Sequence, residues 1–207
     1  MQFKPETAEH LEALMLWRRD VRHFLPDPVP EAVLEKLRLA MDHAPSVGNA
    51  RPWRVIRVES TTLRAAVREN FARCNEAALA LYEGEQAAAY ARLKLAGLDT
   101  APVQLAIFTE TDPEAGHRLG RATLPLTLQQ STAMAVYALW LTARAENLGV
   151  GIVSILEPKA MEALFAVPPG WTFSAYLCIG TPVFTDDTPL LDRAGWQKNS
   201  GTIWETR

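Results

Sequence analysis

The chain has 207 residues, 48% hydrophobic and 22% charged, which is enough for one well-buried core over residues 1–207 and too few to require a second domain. A net charge of −3 and a pI near 5.8 exclude the broad basic surface that nucleic-acid binding by counterion release needs, so any anion bound here is small. Cys74 and Cys178 lie too far apart to suggest a metal knuckle or a disulfide framework, and no apolar run suits a signal peptide or a membrane span, so a cytoplasmic setting is expected.

Residues from about Thr7 to Arg19 read as a first helix, with Ala8, Leu11, Leu14 and Met15 at helical spacing and Thr7 as cap. Its last turn delivers Arg18-Arg19-Asp20-Val21-Arg22, in which three guanidinium groups crowd one carboxylate. Arginine presents a planar fork of donors that matches phosphate oxygens two at a time, so the cluster is a candidate anion site. Taken alone, it also fits a solvated charge cluster at a helix end. Asp20, held among arginines, suits a base, an orienting acceptor or a structural ion pair.

Pro26-Asp27-Pro28 forces an extended turn, and Pro30 opens a second helix that stops near His43-Ala44-Pro45. The loop Pro45 to Trp53 offers a Ser46 hydroxyl, Gly48, the Asn49 amide and free backbone donors; it reads equally as a plain turn. Trp53 is read as a core anchor. A first strand, Arg54 to Val58, follows. The alanine-rich stretch from Thr62 to about Lys94 is too long for one ordinary helix, and a break is predicted near Glu83-Gly84.

Pro102 to Phe108 is a second strand. His117, in the loop after it, has no ligand partner at metal spacing, and no metal is expected. Gln129 to Asn147 is the most apolar helix and is predicted to be buried on most sides, as a core or dimer helix. Gly149 and Gly151 end it and start the strand Ile152 to Leu156, in which Ser154 is the single hydroxyl and reads first as a satisfied core residue. A last helix, Pro158 to Ala166, leads to the strand Phe173 to Ile179, and then to an irregular tail whose tryptophans should pack against something, a partner subunit included. Helices with separated strands indicate an α+β fold. The two usual nucleotide fingerprints are missing.

Several motifs now align in order along nearly the whole chain. They are Arg18 to Arg22, Ala44-Pro45-Ser46-Val47-Gly48 with Pro52-Trp53, Leu93-Lys94-Leu95, Ala101-Pro102, Leu119-Gly120-Arg121, Gly149 to Leu156 and Ala175 to Gly180. This pattern resembles the 5,6-dimethylbenzimidazole synthases of the BluB type, within the FMN-dependent nitroreductase superfamily. Asp20 and Ser154 carry the narrower resemblance. It implies a nitroreductase-like fold, with a central, mostly antiparallel sheet flanked by helices, in an intertwined homodimer.

By that resemblance Arg18, Arg19 and Arg22 hold the FMN phosphate, ribityl chain and pyrimidine edge. Ser46 and Asn49 reach the flavin from the other subunit, Lys94 makes a polar contact to the isoalloxazine, and Val153, Ser154 and Ile155 pass beside flavin N5. Asp20 assists proton transfer near the ribityl hydroxyls, and Ser154 positions the edge that reacts with oxygen. Reduced FMN is then substrate as well as flavin, with O2 as co-substrate and NAD(P)H or a flavin reductase as electron source. Two other readings stand beside this one. The loop Gly48 to Arg51 resembles that of ordinary nitroreductases and favours an NAD(P)H-dependent oxidoreductase; a non-catalytic flavin-binding protein is the other. Neither a nucleic acid nor a membrane is an expected partner.

Overall fold

A computed structural model describes residues 1–93 and 95–207. The described residues form strands β1 Trp53–Arg57, β2 Val103–Glu110, β3 Gly149–Val153 and β4 Trp171–Gly180. With them go helices α1 Pro5–Trp17, α2 Glu31–Asp42, α3 Thr61–Leu79, α4 Gly84–Ala91, α5 Thr127–Ala145, α6 Pro158–Leu164 and α7 Leu190–Arg193. The strands make one sheet in the order β1-β2-β4-β3, antiparallel at every junction, as the α+β reading requires.

The central strands β2 and β4 are covered on both faces, and their alternate residues divide between two cores. Leu177 and Ile179 pack with Ile107 against Leu37 and Met41 of α2 and Val136 and Leu139 of α5. Tyr176 and Cys178 point the other way and pack with Ala106 and Phe108 against Val67 of α3 and Met161 of α6. Side chains of this size contribute about 1.5–3 kcal/mol each when fully buried. β3, by contrast, is an edge strand with one strand neighbour.

Several predicted elements shift. Thr7 does not cap α1, because Pro5 occupies the first helical position, where a missing N–H costs nothing, and Lys4 precedes it. The helix ends at Trp17, and Arg18 turns extended (φ −78°, ψ 101°), so the arginines follow the helix instead of forming its last turn. No residue of α1 is buried, and its Leu11, Met15, Leu16 and Trp17 are exposed. Trp53 is half-buried, packed against the core at the start of β1. The long alanine-rich stretch breaks where expected: α3 stops at Leu79 and α4 opens at Gly84, whose φ of +55° favours glycine. α5 buries one face only and leaves Met134 and Tyr137 exposed.

The strand predicted over Ile152 to Leu156 runs instead from Gly149 to Val153, because Gly149, Val150 and Gly151 pair with Gly180, Ile179 and Cys178. The chain then leaves the sheet, and the Glu157 amide donates to Asn70 Oδ1 at 2.9 Å. Ser154 is therefore an exposed residue just past the strand and not a core hydroxyl within it. The tail is less irregular than predicted. It contains α7, and Trp196 packs on its own chain, with ring centroids 5.4 Å from Tyr82 and 6.0 Å from Tyr90. Among the described residues no helix is long and apolar enough to cross a membrane.

Candidate active site

Beyond α1 the chain runs extended from Arg18 to Phe24 between the β3 edge and the start of the tail. Asp20 bridges Val150 in parallel, and the Val21 amide donates to the Val150 carbonyl at 3.1 Å. On the other side Val183 donates to the His23 carbonyl at 3.0 Å and Leu25 to the Thr181 carbonyl at 2.9 Å. The close approach depends on two glycines. A Cβ on Gly151 would lie 2.1 Å from the Val21 carbonyl oxygen, and one on Gly149 would lie 2.7 Å from a Val21 methyl. The arginine run and the Gly149-Val150-Gly151 motif, 129 positions apart from Asp20 to Gly149 in the numbering, are thus one structural feature.

Asp20 is fixed at both oxygens. Oδ1 accepts the Ile152 amide at 2.9 Å, and Oδ2 accepts Arg22 Nε at 2.7 Å. A carboxylate offers about four lone-pair sites, so each oxygen keeps room for a further donor. Arg18 lies with its guanidinium carbon 4.4 Å from the Trp140 ring and 5.7 Å from that of Tyr137, a stacking that arginine tolerates well. Its Nε is buried without a partner among the described residues. Burial, then the charge of Arg18, lower the pKa of Arg19, while Asp187 and Asp186 oppose that shift. Arg19 Nε donates to the Asp187 carbonyl at 2.9 Å. One cavity is walled by these arginines, Trp140, and the tail residues Phe184, Asp186 and Arg193.

Val153 ends β3, buried and paired with Tyr176, and Ile155 is half-buried. Ser154 stands two residues beyond Ile152, whose amide Asp20 holds, or about 7 Å along an extended chain. Asp20 therefore sits on the β3 edge that Val153 ends, and Ser154 and Ile155 follow just past it. Ser46 and Asn49 do not join them within one chain. They occupy a tight turn in which Gly48, Asn49 and Arg51 all have positive φ. Its Ser46 hydroxyl accepts the Arg51 amide at 3.0 Å, and the Val47 amide donates to Ser131 Oγ at 3.0 Å. Ser131 and Trp140 both belong to α5, nine residues or about 14 Å apart along its axis. Lys94 lies outside the described residues.

The sequence reading missed Trp140, Asp186, Asp187 and Arg193 as parts of this site. For the tail, a usable signal exists: Asp186-Asp187-Thr188-Pro189 is an Asx-type turn opening a helix, and the Thr188 amide indeed donates to Asp186 Oδ1 at 2.8 Å.

Residues 15–181 match the model of the nitroreductase family. Over 207 residues the chain is 63% identical to a 5,6-dimethylbenzimidazole synthase of Rhodobacter capsulatus, with 100% of both chains covered. It is 50% identical over 195 residues to a 5,6-dimethylbenzimidazole synthase of Rhodospirillum rubrum, covering 94% of this chain and 92% of the relative. Its fold is similar to that of oxidised iodotyrosine deiodinase bound to FMN and 3-iodo-L-tyrosine, with a TM-score of 0.73 at 22% identity, covering 95% of this chain and 97% of the other.

Proposed function

Because the chain belongs to the nitroreductase family, and within it to the group of 5,6-dimethylbenzimidazole synthases, we propose that residues 1–207 act as one flavin-binding enzyme unit. Its reaction is the O2-dependent fragmentation of reduced FMN to 5,6-dimethylbenzimidazole, the lower ligand of vitamin B12. Reduced FMN supplies both the reducing electrons and the atoms of the product, and NAD(P)H or a flavin reductase supplies the reduced flavin.

The observation that carries this reading is Asp20, locked between the Ile152 amide and Arg22 in the cavity that Arg18 also lines, the buried Nε of Arg18 having no partner among the described residues. An orphaned guanidinium donor in a cavity walled by further arginines fits a phosphate ester. In this reading Arg18 and Arg19 seat the phosphate, Arg22 holds Asp20 in place and faces the ribityl chain and pyrimidine edge, and Asp20 accepts or returns a proton at the ribityl hydroxyls. Val153 and Ile155 line the flavin's path along the β3 edge. Ser154, exposed at the end of that edge, orients the oxygen-reacting side. Lys94 adds a polar contact.

Ser46 and Asn49 then serve the site of a second copy. Supporting this, α1 and α5 expose Leu11, Met15, Leu16, Trp17, Met134 and Tyr137, apolar surface suited to a homodimer. Sedimentation should return about twice 22.9 kDa; a strictly monomeric active enzyme would end the shared-site reading. Free Cys74 and Cys178 accord with a cytoplasmic location, which cell fractionation tests.

To test the reaction, FMN in excess is reduced anaerobically with the protein, air is admitted, and the benzimidazole is sought by mass spectrometry. Wild type should form it, and Asp20→Asn and Ser154→Gly should not. Intact reoxidised FMN from wild type would refute the synthase reading and leave an oxidoreductase with another acceptor.

A further inference from the structure

Five arginines, Arg18, Arg19, Arg22, Arg144 and Arg193, line the cavity at the β3 edge, and the carboxylates of Asp20 and Asp186 line it with them. Asp20 is committed to the β3 edge and Arg22. Asp186 has a different origin and a different partner. It comes from the tail, where Oδ2 lies 2.7 Å from Arg193 Nη1 while Oδ1 accepts the Thr188 amide at 2.8 Å. The next residue, Asp187, places its carbonyl on Arg19 Nε at 2.9 Å, and its carboxylate accepts the Thr188 hydroxyl at 2.9 Å. A short acidic turn of the tail therefore occupies one donor of Arg19, one of Arg193, and part of the field of the cluster.

We propose that Asp186 and Asp187 set the affinity of the arginine cavity for the phosphate of FMN, keeping it weak enough for the flavin to exchange at every turnover. The proposal rests on the synthase reading, in which FMN is consumed. Once the dimethyl-substituted ring, its two nitrogens and one ribityl carbon have gone into the benzimidazole, and the pyrimidine fragment has separated, the four-carbon remainder of the ribityl chain still carries its phosphate and must leave the arginines. A phosphate carries a charge of about −1.5 to −2 at neutral pH. An unopposed cluster would grip the phosphate of the remnant as firmly as that of the intact molecule, since the two do not differ there. Two tail carboxylates weaken both equally and speed both exchanges. A tightly held resident flavin would have no use for such opposition.

The test compares oxidised FMN with riboflavin, which lacks the phosphate, in fluorescence titrations and stopped-flow release on the full chain. Asparagine at both positions keeps acceptors for the Thr188 amide and hydroxyl but removes two charges. Asp186→Asn/Asp187→Asn should bind FMN on the order of tenfold tighter, with slower release and a gain that shrinks in salt, while riboflavin binding stays put. Asp187→Asn alone, at an exposed position, should give about a threefold gain and guards against a fold defect in the pair. Arg19→Gln should weaken FMN and spare riboflavin. If Arg19→Gln behaves so but the aspartate variants bind FMN no tighter, or gain equally for riboflavin, the proposal is overturned and the phosphate seat stands. If Arg19→Gln affects both ligands alike, the phosphate seat itself is wrong and the proposal falls with it.

Discussion

The carboxylate of Asp20 accepts the backbone amide of Ile152 at 2.9 Å, across 132 positions of sequence, and so ties the arginine run to the outer edge of the sheet. With Arg22 on its other oxygen, the group is held at both atoms, and in the proposed reaction it would carry proton traffic as well. Asp20→Asn keeps the shape but turns one acceptor into an N–H that must face either the Ile152 amide or Arg22, both donors. The expected cost is about 1–3 kcal/mol of folding stability, read by urea unfolding, together with loss of benzimidazole formation. Unchanged stability with unchanged turnover would show that neither bond matters.

Gly151 has the least room of any glycine in the chain, with its would-be Cβ 2.1 Å from the Val21 carbonyl, a backbone atom that cannot swing aside. Gly151→Ala should push the Arg18 to Arg22 segment off β3, destabilising the fold by about 1–3 kcal/mol or more and weakening FMN binding. Gly201→Ala, where nothing lies within 4 Å, is the control and should be neutral in both assays. An alanine at 151 that binds FMN like wild type would mean that the segment reaches its position without the glycine.

Much of this arrangement can be read from the sequence, and the exceptions have physical causes. Apolar runs such as Val103 to Phe108 and Ala175 to Ile179 announce strands buried on both faces, and Glu83-Gly84 announces a helix break. Gly149 and Gly151 mislead because glycine serves two ends: it can break an element, or stay inside one to let another backbone approach. The second holds here and moves β3 three residues toward the N-terminus. Trp140 lies in an apolar helix whose periodicity does not distinguish a core tryptophan from one beneath a guanidinium. The separation of Ser46 and Asn49 from the arginines cannot be read from the loop residues themselves; only the family resemblance, which implies that they reach the flavin from the other subunit, led to its being expected.

Cys178 gives a pH dependence with a defined sign. Burial, with the charge of Asp20 adding to it, pushes its thiol up to about 12 from an ordinary value of 9.0. Between those limits the folded thiol keeps a proton that the unfolded chain has lost. Stability is therefore full below about pH 9 and falls as pH rises, by up to about 1.4 kcal/mol per unit for this one group. Burial raises the Tyr176 phenol as well, but its ordinary value is 10.0, so its share begins later. Urea unfolding of wild type between pH 8.5 and 10 should show the decline, and Cys178→Ala should flatten it whatever its own cost at pH 8. Equal slopes in the two proteins would assign the decline to another group.

Ser131 links the interior of α5 to the turn that carries Ser46 and Asn49. Its hydroxyl donates to the Thr127 carbonyl at 2.6 Å and accepts the Val47 amide at 3.0 Å, while Gly48 and Gly116 press together behind the turn. Ser131→Ala strands the Val47 N–H in a part-buried site, at a cost of about 1–3 kcal/mol, because it removes the acceptor that holds this N–H at 3.0 Å. Hydrogen exchange should quicken at Val47 and Arg51 and stay unchanged at Val150 and Ile152, which lie in β3 away from this turn. FMN affinity should fall as well, and by no more than for Asn49→Ala, since the hydroxyl acts through the turn. A loss larger than that of Asn49→Ala, or exchange that quickens along β3, would mean that Ser131 supports the sheet and not the turn.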